Sequence, residues 1–323
     1  MKPVPQPKEP SGARFAPAGD VLRHLADSLH TQGRRYRKRL QQCQEKFSEE
    51  AVHETRVAAR RLLATIELLG AFLPHRKLEK ARDVLKQHLD TFDPLRDTQV
   101  QLVYVGRMTR AFPAARAFRD WLHKRENRFT RDARQAIKGF KTKRFARRLA
   151  AFEAEICQRR KDTSRGRADA AVLRVVTRAC ARVARLSRGV AAADTATIHR
   201  ARIAFKRYRY MTEALAPLLP AITEQHRQAL RGYQSMMGDI QDLEVMLAAL
   251  DKFLHRKEIN TAAAGRLRNE LLRRRQWLIQ VYLNATAEMP LLWPPPGQRA
   301  QAARRQVPRF SNPATHRRNA GTH

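Results

Sequence analysis

An arginine-rich stretch, Ala51 to Glu67 (AVHETRVAARRLLATIE), returns once as Ile198 to Glu213 (IHRARIAFKRYRYMTE). With His53 laid on His199, Arg56 meets Arg202, Val57 meets Ile203 and Ala58 meets Ala204. At the same offset Arg60 meets Lys206, Arg61 meets Arg207 and Glu67 meets Glu213. Further on, Leu95 to Val100 (LRDTQV) answers Ile240 to Val245 (IQDLEV) with one residue of slippage. Self-similarity at a fixed interval marks a duplicated structural unit. The chain is therefore expected to fold as two versions of one unit, each carrying a histidine and several cations on one helix.

Helical geometry gives the repeat its content. Successive residues turn by about 100°. With His53 at zero, Arg60 falls about 20° away and Arg56 about 60°. Val52, Ala59, Leu62, Ile66 and Leu69 gather on the opposite side. The second copy sets His199, Arg202 and Lys206 against Ile198, Phe205, Tyr208, Thr212 and Leu215. An apolar stripe opposite a charged one is also what an ordinary surface helix shows. Solvation, however, does not require His-x-x-Arg-aliphatic-Ala-x-(Arg or Lys)-Arg twice at matching phase. From His53 to Arg60 the cationic row covers about 10 Å of helix, a length suited to several consecutive phosphates.

Charge points the same way. The 323 residues hold 65 Lys and Arg against 30 Asp and Glu, a formal net charge of +35. Such an excess opposes compaction by self-repulsion, so a neutralising partner is expected: nucleic acid, an anionic membrane surface or inorganic polyphosphate. The length suggests about two domains, each able to bury its own core. Cys43, Cys157 and Cys180 form no C-x-x-C pair and are odd in number, which favours a reducing cytoplasm over a disulfide framework. The N-terminus has no apolar signal-peptide core, and no run of about 18 apolar residues predicts a membrane span.

Along the chain, residues 1–19 hold five prolines and little hydrophobic pattern and read as a disordered leader. Asp20 caps a helix to about Cys43, with a break or a basic second section at Gly33. The signature helix runs from Ser48 or Glu49 to Phe72. A third helix covers His75 to Phe92; Pro94 kinks or restarts it, and it continues to about Arg110. A fourth spans Pro113 to Ile137 and ends at Gly139. Lys143 to Arg160 reads as a connecting helix that completes a first unit over 20–160. Residues 161–167 form a polar linker. The second unit, 168–288, repeats the order: Ala168 to Arg188, Asp194 to Leu219, Pro220 to Leu254 and Lys257 to Ala287. Residues 289–323, rich in Pro and Arg and without an acid, read as a basic disordered tail. Strand patterns are weak throughout. The expected fold is all-α, with two similar four-helix units joined by short loops.

Enzyme motifs are absent: there is no H-E-x-x-H, Walker loop, dinucleotide fingerprint or G-x-S-x-G. His53 and His199 could pair as metal ligands, but their arginine neighbours repel a cation, so no metal and no cofactor is expected. A buried structural role for these histidines is the alternative to donating hydrogen bonds to phosphate, which a protonated ring does more strongly. Arginine's planar fork suits phosphate. Glu67 and Glu213 are expected to orient arginines one or two turns back through ion pairs. Asp97 and Asp242 are expected to hold signature-helix cations or to cap the restarted helix. A second, looser basic row lies on each fourth helix: Lys124, Arg128 and Arg131, then Arg266 and Arg273. Arg96 and Arg209 are further candidates for such secondary contacts.

The signature pieces resemble the CHAD family, the conserved-histidine α-helical domain. They are His53-x-x-Arg56-Val57-Ala58-x-Arg60-Arg61 with Leu95-Arg96-Asp97, and His199-x-x-Arg202-Ile203-Ala204-x-Lys206-Arg207 with Gly238-Asp239-Ile240-Gln241-Asp242. The resemblance covers about residues 15–290. It implies two four-helix units about a pseudo-twofold with a basic pore or groove between them. It also implies binding of inorganic polyphosphate and association with polyphosphate granules in the cytoplasm. Carried over residue by residue, it implies a polyphosphate site at His53, Arg56, Arg60, Arg61, His199, Arg202, Lys206 and Arg207. Gln241 departs from Arg96, so the two sides need not bind alike. The Glu-x-Glu-x-Lys opening of the triphosphatase module often fused to this domain is missing, and Glu153-x-Glu155-x-Cys157 is only a near miss. Hydrolysis is therefore not expected. Nucleic acid remains the rival polyanion. Few aromatics are available for stacking single strands, so it is expected to bind more weakly.

Overall fold

The computed structural model describes residues 20–73, 76–162, 164–192, 194–256 and 261–286. The leader and tail expected from the sequence lie outside these residues. Among the described residues there are nine α-helices and no strand. In the first half these are α1 (Val21–Glu45), α2 (Glu49–Gly70), α3 (Arg76–Gly106), α4 (Ala114–Lys138) and α5 (Thr142–Asp162). In the second they are α6 (Arg165–Arg188), α7 (Thr195–Leu215), α8 (Glu224–Arg256) and α9 (Ala262–Thr286).

The termini follow local chemistry. Asp20 accepts from the Arg23 amide at 2.9 Å and starts α1. Ser48 accepts from the Ala51 amide at 3.1 Å and starts α2, whose first turn also holds Glu49 and Glu50. Asp194 accepts from the Ala196 amide at 3.0 Å and starts α7. Each cap satisfies an amide that has no partner inside its helix.

Three sequence expectations change. First, Gly33 does not break α1. It sits inside a continuous helix, where a Cβ would meet Leu149 Cδ1 at 2.8 Å. The glycine is there because α5 packs closely on α1. Second, Pro94 neither stops nor restarts α3, which runs on through it. Pro94 is exposed, so the Asp90 carbonyl that loses its helical partner can be hydrated. Third, α5 is more than a connector. It packs on α1 and α3, burying Phe145, Phe152 and Ile156.

Within the halves, α1 packs on α2, α2 on α3 and α3 on α4, while α6 packs on α7, α7 on α8 and α8 on α9. Across them, α2 touches α7, α3 touches α8, α4 touches α9 and α1 touches α6. The buried residues form two apolar clusters, and both draw on both halves. The larger joins Leu25, Leu62, Leu69 and Phe92 to Phe205, Tyr208, Tyr233 and Tyr282. The smaller joins Val105, Phe118 and Leu122 to Leu243, Leu250, Phe253 and Leu271. The expectation of a private core in each half therefore does not hold. The far ends of α3, α4, α8 and α9 cover one another's apolar faces. Truncating a fully buried phenylalanine such as Phe118 would cost about 3–5 kcal/mol. Across the halves, His24 Nε2 on α1 also donates to the Ala214 carbonyl at 2.8 Å.

Candidate anion-binding site

Because α2 packs on α7, their charged faces meet. Val52, Leu62 and Leu69 on α2, and Phe205 and Leu215 on α7, are fully buried and fix the rotation of each helix. That rotation turns Arg56 and Arg60 toward Arg202 and Lys206.

The electrostatics record the meeting. Burial is the largest influence lowering the Lys206 ammonium, to about 7. The charges of Arg60, Arg202 and Arg56 push the same way, and Asp93 opposes them. Arg56, 7% exposed, is lowered to about 10 by burial and by Arg60, against Asp93 and Asp97. Arg202 is lowered by burial and by Arg60, with Asp242 and Asp97 opposing. Four cations from two halves thus act on one another directly.

Three carboxylates stand among them. Asp93 pairs with Arg56 and lies 3.8 Å from Arg60. Burial raises Asp97, as does Asp93, while Arg56, Arg202 and Lys206 lower it. Asp242 is raised to about 6, chiefly by burial and against Arg202. Asp97 and Asp242 sit inside α3 and α8 and cap nothing, so of their two expected roles only the holding of cations fits. Arg56 Nε and Arg202 Nε, at matching positions of the repeat, are buried donors without a hydrogen-bond partner. Such an orphan costs about 1–3 kcal/mol.

The histidines differ. His53 is exposed on α2 and lowered, first by desolvation and then by Arg96, Arg56 and Arg60, with Glu54 opposing. It is therefore neutral at pH 7. His199 Nδ1 donates to Gln241 Oε1 at 2.5 Å. That bond orients the ring and leaves Nε2 as its other polar atom.

The remaining sequence candidates scatter. Arg61 is half-buried and makes no ion pair among the described residues. Arg207 pairs with Glu67 at 2.7 Å across the halves, so Glu67 does not serve its own helix as expected. Glu213 does so, pairing with Arg209 one turn back. Arg209 itself is 8% exposed, donates to Gln234 at 2.7 Å and lies 4.3 Å above the Tyr210 ring, which removes it as a secondary contact. Arg96 is held by Glu49 at 2.6 Å. Lys124 and Arg128 line a cleft on α4, whereas Arg131 is exposed outside it. Arg266 is exposed, and Arg273 is gripped by Glu270 at 2.9 Å. The second basic row therefore does not gather at the α2–α7 cluster.

Asp93 is the residue that sequence reading missed. It stands one turn before Asp97, on the same face of α3, and reading Pro94 as a break hid that continuity. Among the described residues no group of three or more His, Cys, Asp or Glu is placed to hold a metal ion. No helix among them is long and apolar enough to cross a membrane.

An all-helical chain in which two similar helices press cationic faces together beside half-buried carboxylates defines a class of charge-rich helical domain. The CHAD domain family model matches residues 28–251. The chain belongs to the CHAD domain family. Its fold is similar to the crystal structure of the CHAD domain from the plant Ricinus communis, at 20% identity and a TM-score of 0.64 over 85% of this chain and 96% of that one. It is also similar to PptA from Streptomyces chartreusis, at 17% identity and a TM-score of 0.59 over 83% and 98% of the two chains. No curated protein sequence matches.

Proposed function

We propose that this protein binds inorganic polyphosphate where the charged faces of α2 and α7 converge, and that it does so without hydrolysing it. Polyphosphate binding is a general property of the family to which the chain belongs. The observation that carries the reading is the position of Lys206: a lysine of the second half lies under the charges of Arg56 and Arg60 of the first. Cations held together at that cost are poised for a polyanion. A phosphate oxygen replaces Asp93 on Arg56 and Arg60 and restores the Lys206 charge. The overall charge of +35 steers a polyanion in, and counterion release makes affinity fall with salt. The reading extends to location: the bound chain would draw the protein to polyphosphate granules.

The test is competition at physiological salt. Fluorescent polyphosphate bound to the protein is challenged with duplex DNA and single-stranded RNA at equal phosphate concentration. The Arg60→Gln/Lys206→Gln variant runs beside the wild type. Poor competition by both nucleic acids, together with about 100-fold weaker binding by the variant, is expected from two charge-assisted contacts of about 1.5 kcal/mol or more each. Equal competition by DNA with an unaffected variant would make the protein a general polyanion binder. Polyphosphate length, read on gels with and without magnesium, should stay constant.

A further inference from the structure

The strongest feature outside the α2–α7 cluster is a cleft of about 710 Å³ between α4 and the end of α8. Trp121, Lys124, Arg125 and Arg128 line it from α4, and Phe253 and Arg256 from α8, with Asp120 at its edge. The α4 residues follow at i, i+3, i+4 and i+7, the spacing of one helix face. Four cations face one carboxylate. None of the ion pairs among the described residues engages Lys124, Arg125, Arg128 or Arg256.

Aromatic rings hold these guanidinium groups instead. Arg125 lies 4.6 Å above Trp121 and 5.1 Å above Phe129, and Arg128 lies 4.9 Å from Phe129. Phe118 stacks on Trp121 at 5.9 Å, and Phe253 packs on both rings. The small apolar core therefore continues upward into a platform that fixes Arg125. Arg125 Nε is buried with no hydrogen-bond partner. Burial, then Arg128 and Arg256, work against its charge. A guanidinium positioned by rings keeps its fork free for an oxyanion.

The neighbouring cavity shows why this cleft is not an extension of the polyphosphate site. It shares Arg125 but is lined by Asp90, Asp93 and Asp97, with Lys252 its only other cation. A phosphate chain leaving the α2–α7 cluster on that side would run over three carboxylates.

We propose that the α4–α8 cleft is a second, independent anion site that takes a compact, multiply charged phosphate compound, either inorganic triphosphate or the phosphate tail of a nucleotide. Its volume falls in the range of small-molecule pockets, about 300–1,000 Å³. Trp121 is covered by Arg125 and Phe118, so no ring is left to stack on a base. The site reads phosphate and ignores what the phosphate is attached to. It does not rest on the α2–α7 reading.

The chain has three tryptophans. In a Trp277→Phe/Trp293→Phe background Trp121 reports alone. Titration with inorganic triphosphate should give a saturable change in its fluorescence. Lys124→Ala/Arg128→Ala, at two exposed positions, should weaken that response at least tenfold with unchanged circular dichroism. Arg60→Gln/Lys206→Gln should leave it within about twofold, and ATP should match triphosphate within about threefold. The proposal is overturned if Trp121 does not respond. It is equally overturned if the response is lost with Arg60 and Lys206 rather than with Lys124 and Arg128. ATP binding far more tightly than triphosphate would refute a site that reads phosphate alone.

Discussion

The two halves of the α2–α7 cluster come from one repeated pattern, yet they are built differently. On the α2–α3 side the cations are compensated: Asp93 serves Arg56 and Arg60, and Glu49 serves Arg96. On the α7–α8 side Gly238 stands in the position of Asp93 and Gln241 in that of Arg96. Gln241 holds His199 by a hydrogen bond, whereas Arg96 pushes protons off His53. Lys206 has to look to Asp93, across the interface, for support. The second half keeps Asp242 beside Arg202 but lacks counterparts of Asp93 and Arg96, and its Lys206 faces three cations against one carboxylate. A polyanion gains most where compensation is poorest, so the second half should dominate affinity and its pH dependence.

The largest effect expected from this asymmetry is at Lys206. An unfolded lysine keeps its proton up to about 10.5, whereas the folded group releases it at about 7. Between these values the unfolded chain binds more protons, so this group's contribution to stability declines as pH falls across the window. Lys206→Met should therefore stabilise the free protein at pH 7 by about 1–2 kcal/mol, as when buried charges are replaced by apolar groups. The same change should weaken polyphosphate binding by about 10–30-fold. Denaturant melts and binding isotherms on one variant would show the trade. A variant that lost stability would place Lys206 among the structural charges.

A smaller effect should appear on titration of the wild type. Internal phosphates of a polyphosphate chain stay ionised between pH 8 and pH 6, so changes in affinity belong to the protein. Lys206 gains its proton across this window, and Asp242, with its carboxyl at about 6, begins to lose its charge at the lower end. Both changes favour an anion. Affinity should rise about tenfold from pH 8 to pH 6, and Lys206→Met should flatten most of that slope. A wild-type profile that stays flat would mean that Lys206 is charged throughout.

The helical class and the correspondence of His53 to His199 in the two stretches are legible in the sequence because they rest on periodicity and spacing. What the sequence hides is compensation. The cationic stripe of α2 is visible from its phase, but a phase does not say that Arg56 lies buried against Asp93. Nor does it say that Glu67 reaches Arg207 on the other half instead of an arginine on its own helix. These contacts depend on how α2 crosses α7 and α3, a property of packed shapes rather than of any one segment. Local rules also misled at two points for the same reason. Gly33 allowed a break and Pro94 a kink or a restart, yet tertiary packing on α5 and an exposed position on α3 let both helices continue. Arg209 shows the reverse: its charge suggested a ligand contact, and its burial beside Glu213 and Tyr210 makes it structural.

The finest test makes the second half resemble the first. Gly238 has open space where a Cβ would go, and replacing a mid-helix glycine does not weaken α8. Gly238→Asp would restore a carboxylate at the position matching Asp93. If Asp93 competes with phosphate for Arg56 and Arg60, its counterpart should compete for Arg202 and draw Lys206 toward its charged form. The competition should lower affinity for polyphosphate about threefold at pH 6, where Lys206 is already charged. At pH 8 the restored Lys206 charge offsets part of that loss, so wild type and variant should differ less. Isotherms at the two pH values separate these terms. An equal loss at both would mean that the new carboxylate repels the ligand without reaching Lys206, and that the asymmetry between the halves lies in Gln241 and His199 instead.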